Sequence, residues 1–181
     1  MAPPGDETSD EALAGAAKDG DVRALELLIL RHESRVLRVL RFLGVARDDR
    51  EDLAQDVFLK VFRGLSGFRP GFVFEAWLYR VTVNAAFDYR SGEERRTRHL
   101  APLDDEKPAG DRISDQDLTV LRNRLEAALD TLTDRERAVF VLKEIEGLDT
   151  AQVARGLGLR EVTVRRHLGQ ARERLKKVLS G

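Results

Sequence analysis

Asp149-Thr150-Ala151-Gln152-Val153-Ala154-Arg155-Gly156-Leu157-Gly158-Leu159-Arg160-Glu161-Val162-Thr163-Val164-Arg165-Arg166-His167-Leu168 is the stretch that decides the fold. Asp149 can cap a helix, and Gln152 stands where a capping box reaches back to it. Val153, Ala154 and Leu157 give that short helix a buried side. Gly158 supplies a turn residue that takes positive φ at no steric cost. In the next helix Val164, Leu168, Ala171, Leu175 and Val178 recur at helical spacing as one apolar stripe. Upstream, Thr133 and Glu136 form a second capping box ahead of Ala138, Val141, Leu142 and Ile145, and Gly147 is placed to end that helix. The pattern predicts a helix-turn-helix.

Its second helix is basic. Arg166 points away from the apolar stripe, with Arg165 and Gln170 to either side. From Thr150 to Lys177 the acids are only Glu161 and Glu173. Such a helix suits a DNA major groove and its phosphates. Thr163, Arg165, Arg166, His167 and Gln170 are the candidates for base edges. Arg160, near the helix start, and Arg172, Arg174 and Lys176, further along, are the candidates for phosphate, which gives affinity without sequence choice.

The whole chain has 181 residues, enough for two small domains, and 31 Lys and Arg against 32 Asp and Glu, so net charge says little. The distribution says more: the start (Asp6, Glu7, Asp10, Glu11) and the middle (Asp104, Asp105, Glu106, Asp111, Asp115, Asp117) are acidic, and the end is basic. That asymmetry points to an anionic partner at the C-terminal end. There are no cysteines, which removes disulfides, thiolate metal sites and cysteine nucleophiles and fits a cytoplasmic location. His32, His99 and His167 are too scattered for a local metal site. No apolar run approaches the ~20 residues of a membrane helix, and the N-terminus lacks the start of a signal peptide. No nucleophile, base and acid come together in sequence, and no glycine-rich phosphate loop is present. Neither catalysis nor a cofactor or metal is expected.

The N-terminal half is also helical. A short helix begins near Ser9, and Leu25, Leu28, Ile29, His32, Val36, Leu37, Leu40 and Leu43 mark a longer one closed by Gly44. From Asp48 to Leu65, Leu53, Val57, Val61 and Leu65 form a stripe widened by Phe58 and Phe62. The opposite face carries Asp52, Gln55, Asp56, Leu59, Lys60 and Arg63. Leu59 among those charges is either an incidental exposed leucine or the anchor of a protein-docking face. Phe68, Phe72, Phe74 and Trp77 crowd a turn and the start of a helix running to about Arg90, on which Arg80, Asn84 and Asp88 make a polar line. Aromatics beside arginine and asparagine suit unstacked single-stranded bases, and the same rings equally suit a core. From Thr97 to Asp117 prolines, glycine and acids replace the helical period, as in a flexible linker.

The chain resembles a bacterial RNA polymerase sigma factor of the extracytoplasmic-function group. Asp52-Leu53-Ala54-Gln55-Asp56-Val57-Phe58 is similar to that family's core-polymerase-binding motif. Phe74-Glu75-Ala76-Trp77-Leu78-Tyr79-Arg80, followed by Asn84 and Asp88, is similar to its segment that melts and reads the minus-ten element. Leu132 to Leu175 resembles its minus-thirty-five-reading domain. The resemblance implies an all-α fold of two small helical domains: a tail over 1–12, a sigma-2-like domain over 13–96, a flexible acidic linker over 97–117 and a sigma-4-like domain over 118–181. It implies core RNA polymerase, promoter DNA and an anti-sigma factor as partners, with no membrane insertion. It implies polymerase binding by Asp52, Gln55, Asp56, Leu59, Lys60 and Arg63, and minus-ten contacts by Phe72, Phe74, Trp77, Arg80, Asn84 and Asp88. A stand-alone helix-turn-helix regulator is the alternative; it would have no need of the Asp52–Arg63 face. Arg160 lacks the side-chain acceptor common at the recognition helix start in the family, which weakens that cap by ~1 kcal/mol.

Overall fold

The computed structural model describes residues 8–68, 73–99 and 124–179, with 94–99 as backbone only. The described residues form helices and turns, with no strand. Four helices make the N-terminal part: α1 (Asp10–Lys18), α2 (Val22–Phe42), α3 (Arg50–Gly64) and α4 (Phe74–His99). Four more make the C-terminal part: α5 (124–129), α6 (Asp134–Phe140), α7 (Thr150–Leu157) and α8 (Glu161–Leu179).

Local chemistry accounts for most boundaries. Ser9 accepts from Ala12 N and Asp21 from Arg23 N and Ala24 N, capping α1 and α2. Gly44, at φ +83°, turns the chain after α2. Both expected capping boxes are present, Thr133 with Glu136 and Asp149 with Gln152. Gly158 closes α7 in the left-handed region. α6 does not simply stop: Val141–Ile145 form one turn of π-helix, which the sequence pattern does not disclose.

Four expectations need correction. Residues 10–12 belong to a capped helix, so the tail is shorter than 1–12. α4 continues past Arg90 and past Thr97 to His99, because Gly92 alone costs a helix only about 1 kcal/mol and its neighbours are good helix formers. Phe62 and Val178, placed on buried stripes, are 52% and 46% exposed. Leu157, placed on the buried side of α7, is only partly buried against the core, and its neighbour Gly156 is buried. Residues 1–7 and 100–117 of the expected tail and linker lie outside the described residues.

The two halves pack together. Arg137 of α6 is 1% exposed; its Nε donates to the carbonyl of Phe42 at the end of α2 and its Nη1 to Asp130, 2.5 Å away. Burial pulls the Arg137 pKa down, and Asp130 opposes that. Arg38 grips Glu146 with two bonds of 2.7 and 2.8 Å, and Tyr79 donates to the same carboxylate at 2.9 Å. Burial, and then the Glu146 charge, push the Tyr79 phenol far above its ordinary value, so it stays a donor. Arg41 pairs with Glu126, and Arg90 with Asp134 at 2.9 Å. Arg135 lies over the Phe87 ring, and α7 approaches α4 closely enough that a Cβ on Gly156 would sit 3.1 Å from the Ala76 carbonyl oxygen.

Candidate nucleic-acid interface

α8 buries Val164, Leu168, Ala171 and Leu175 and turns its other side outward. Arg160, Arg165, Arg166 and Gln170 are exposed; Thr163 and His167 are half-buried at the margin. Arg165 reaches back to Glu161 at 3.2 Å, one turn earlier. The His167 Nδ1 atom is buried without a partner. Two of the expected phosphate contacts are already engaged within the chain. Arg172 pairs with Glu144 at 2.6 Å, and the Arg174 guanidinium lies 3.6 Å from Glu136. Both guanidinium groups stay at least half exposed, so phosphate would share them with those carboxylates, whereas Lys176 is exposed near the end of the helix.

α4 divides as its spacing predicts. Leu78, Tyr79, Val83, Ala85 and Ala86 face the core, and Arg80, Asn84 and Asp88 form an exposed row. Thr82, fully buried, satisfies its hydroxyl on the Leu78 carbonyl. The aromatic reading needs correction. Phe74 is 1% exposed, wedged among His32, Phe68 and Trp77 at centroid distances of 5.6 to 6.0 Å, and cannot stack on a base from there. Trp77 is half-buried at the edge of that cluster, 5.5 Å from Phe68. Phe72 lies outside the described residues.

On α3, Asp52, Gln55, Asp56, Leu59, Lys60 and Arg63 are all exposed. Of these, Gln55 and Leu59 line a groove of about 460 Å³ between α2 and α3, together with Leu25, Ile29, Leu37, Phe58 and Phe62. The helical stripes alone assign Leu25, Ile29 and Phe62 to the core. The available signal is Phe62 at three residues from Leu59, which puts both on one helix face.

A helix-turn-helix with exposed arginines, an exposed polar row on α4 and a separate part-apolar face on α3 define a helical DNA-binding protein with a further surface for a protein partner. The chain belongs to the extracytoplasmic-function sigma factors of the sigma-70 family. The family models Sigma-70 region 2 and Sigma-70, region 4 match residues 28–96 and 122–175. The ECF RNA polymerase sigma factor SigE of Mycolicibacterium smegmatis is 36% identical, covering 96% of this chain and 70% of its own. SigM of Mycobacterium tuberculosis is 33% identical, over 96% and 86%. The structure of CnrH in complex with the cytosolic domain of CnrY superposes with a TM-score of 0.76 at 28% identity, over 96% of this chain and 98% of that one. The protein is therefore a factor that directs promoter-specific transcription initiation, and a stand-alone regulator is not favoured. Among the described residues no helix is long and apolar enough to cross a membrane.

Proposed function

We propose that the chain performs this role through three separate faces. Asp52, Gln55, Asp56, Leu59, Lys60 and Arg63 dock core RNA polymerase, with Leu59 and Phe62 entering a helical partner as apolar anchors. Trp77, Arg80, Asn84 and Asp88 engage the opened minus-ten strand. Thr163, Arg165, Arg166, His167 and Gln170 read the minus-thirty-five element, with Arg160 and Lys176 on phosphate. The observation that carries the reading is the exposure of all six α3 residues, two of which, Gln55 and Leu59, line an open apolar groove. A folded domain has no internal use for that face. The factor works in the cytoplasm without catalysis of its own. An anti-sigma factor competes for it, by analogy with the similar CnrH, which forms a complex with the cytosolic domain of CnrY. Run-off transcription by core polymerase, with and without the protein, tests the whole reading: start sites that appear only with the protein support it, and their absence rejects it.

Two substitutions separate the faces. Asp56→Arg reverses an exposed charge, so core binding should weaken at least tenfold while the melting temperature stays nearly constant. Unchanged core affinity would remove α3 from the docking surface. On α8, Arg166→Ala should flatten preference at one or two base positions, since one arginine–guanine pair discriminates by ~1–3 kcal/mol. Lys176→Ala should instead lower affinity for all sequences alike and make the salt slope shallower by roughly one unit. Titrations on single-base promoter variants at several salt concentrations compare the two. An unchanged rank order in Arg166→Ala means that residue reads no base.

A further inference from the structure

α1 lies ahead of the region 2 match, which begins at residue 28. It nevertheless touches both Phe68 and Phe74, on either side of residues 69–72. Lys18 Nζ donates to the Phe68 carbonyl at 3.1 Å, and Glu11 Oε1 accepts from the Phe74 backbone N–H at 3.1 Å. Phe68 ends the short turn after α3. Phe74 begins α4, so its N–H is one of the helix-end donors with no partner inside the helix. A carboxylate there also faces the positive end of the helix dipole. Glu11 and Lys18 are seven residues apart, two helical turns on one face, about 10 Å along the axis. A single rigid helix therefore presents one acceptor and one donor at a fixed spacing to the two stems.

α1 is itself pinned. Leu13, Ala14 and Ala17 are buried in the core. Asp10 pairs with His32 at 2.7 Å and with Arg31 at 3.0 Å. The His32 ring in turn packs on Phe74, and Phe74 on Trp77. The start of α4 is thus held from beneath by rings and from the side by α1.

We propose that α1 is a brace for promoter opening, and that Glu11 and Lys18 are positioning residues that set where Trp77 and the Arg80–Asn84 face meet the minus-ten strand. This rests on the minus-ten reading given above. Neither residue contacts DNA; each acts through Phe74 or Phe68. The two bonds are independent, so the double variant loses both.

The test uses full-length protein with core polymerase on a duplex promoter carrying a fluorescent base analogue in the minus-ten strand. In Glu11→Ala/Lys18→Ala, open-complex formation should slow about thirtyfold, the effect of removing two ordinary hydrogen bonds. Core affinity and duplex minus-thirty-five binding should not change. Glu11→Gln and Lys18→Arg keep the acceptor and the donor and should restore most of the rate. Trp77 is the only tryptophan in the chain, so its acrylamide quenching reports the local geometry and should rise in the double alanine variant alone. Opening at the wild-type rate, or loss of core binding in parallel with opening, overturns the brace. Failure of the wild-type holoenzyme itself to open the promoter would overturn the minus-ten reading beneath it.

Discussion

Joining Arg90→Cys to Asp134→Cys with a short, reducible bismaleimide should abolish transcription from promoters that need both elements, and reduction should restore it. The two side chains are paired at 2.9 Å across the junction of the halves, and the natural chain has no cysteine to interfere. The reason is distance. By their names the two promoter elements lie about 25 base pairs apart, roughly 85 Å at ~3.4 Å per pair. In the structure α4 packs on α7 and α7 on α8, and two helix layers at 8–10 Å each put the axes of α4 and α8, the proposed readers of the two elements, only about 20 Å apart. One body of that size cannot touch both elements. The chain between His99 and Arg124 can reach roughly 85 Å when extended, so the halves can part far enough without breaking the fold of either. The measurement is run-off transcription from a promoter dependent on both elements, before and after reduction. If the bridged protein transcribes as well as the reduced form, the packed arrangement is the working one and the spacing argument fails.

What the sequence discloses is local. The capping boxes at Thr133 and Asp149, the left-handed Gly158 and the stripe Val164–Leu175 are written in residues three to eleven positions apart, and each recurs in the structure. The exposed rows on α3 and α4 follow from the same helical period. The rest depends on partners far away in the chain. Glu146 looks like a helix-end acid on a solvated surface; it is buried because Arg38 and Tyr79, 108 and 67 residues away, reach it. Arg172 and Arg174 look like free cations because Glu144 and Glu136 lie on another helix. Phe74 looks like a stacking platform because no periodicity argument places His32 over it. The short helix after Ser9 is legible, but its contacts are hidden for the same reason: nothing within residues 1–12 shows that Asp10 meets His32 or that Glu11 meets Phe74.

Arg137→Ala should destabilise the chain by about 3 kcal/mol, because it removes a buried cation together with the hydrogen bonds that kept it there. The Phe42 carbonyl at the end of α2 would lose its donor, and the space left by the side chain would lie between α2 and α6. Arg137→Met keeps most of the stem and should lose less, about 2 kcal/mol, since hydrogen bonding and volume are then separated. The facing residue gives an independent check. Gly44 has φ +83°, and a Cβ there would sit 3.0 Å from the Arg137 Nη1 atom. Gly44→Ala should therefore cost ~1–2 kcal/mol from backbone strain, before any displacement of the guanidinium. Urea unfolding followed at once by circular dichroism and by Trp77 emission measures all three. Trp77 lies in the N-terminal helices and Arg137 in α6, so the two probes should shift together if Arg137 couples the halves. A midpoint shift in circular dichroism with no change at Trp77 would confine Arg137 to its own half, and a loss below about 1 kcal/mol in Arg137→Ala, no more than one ordinary hydrogen bond, would remove it from the junction altogether.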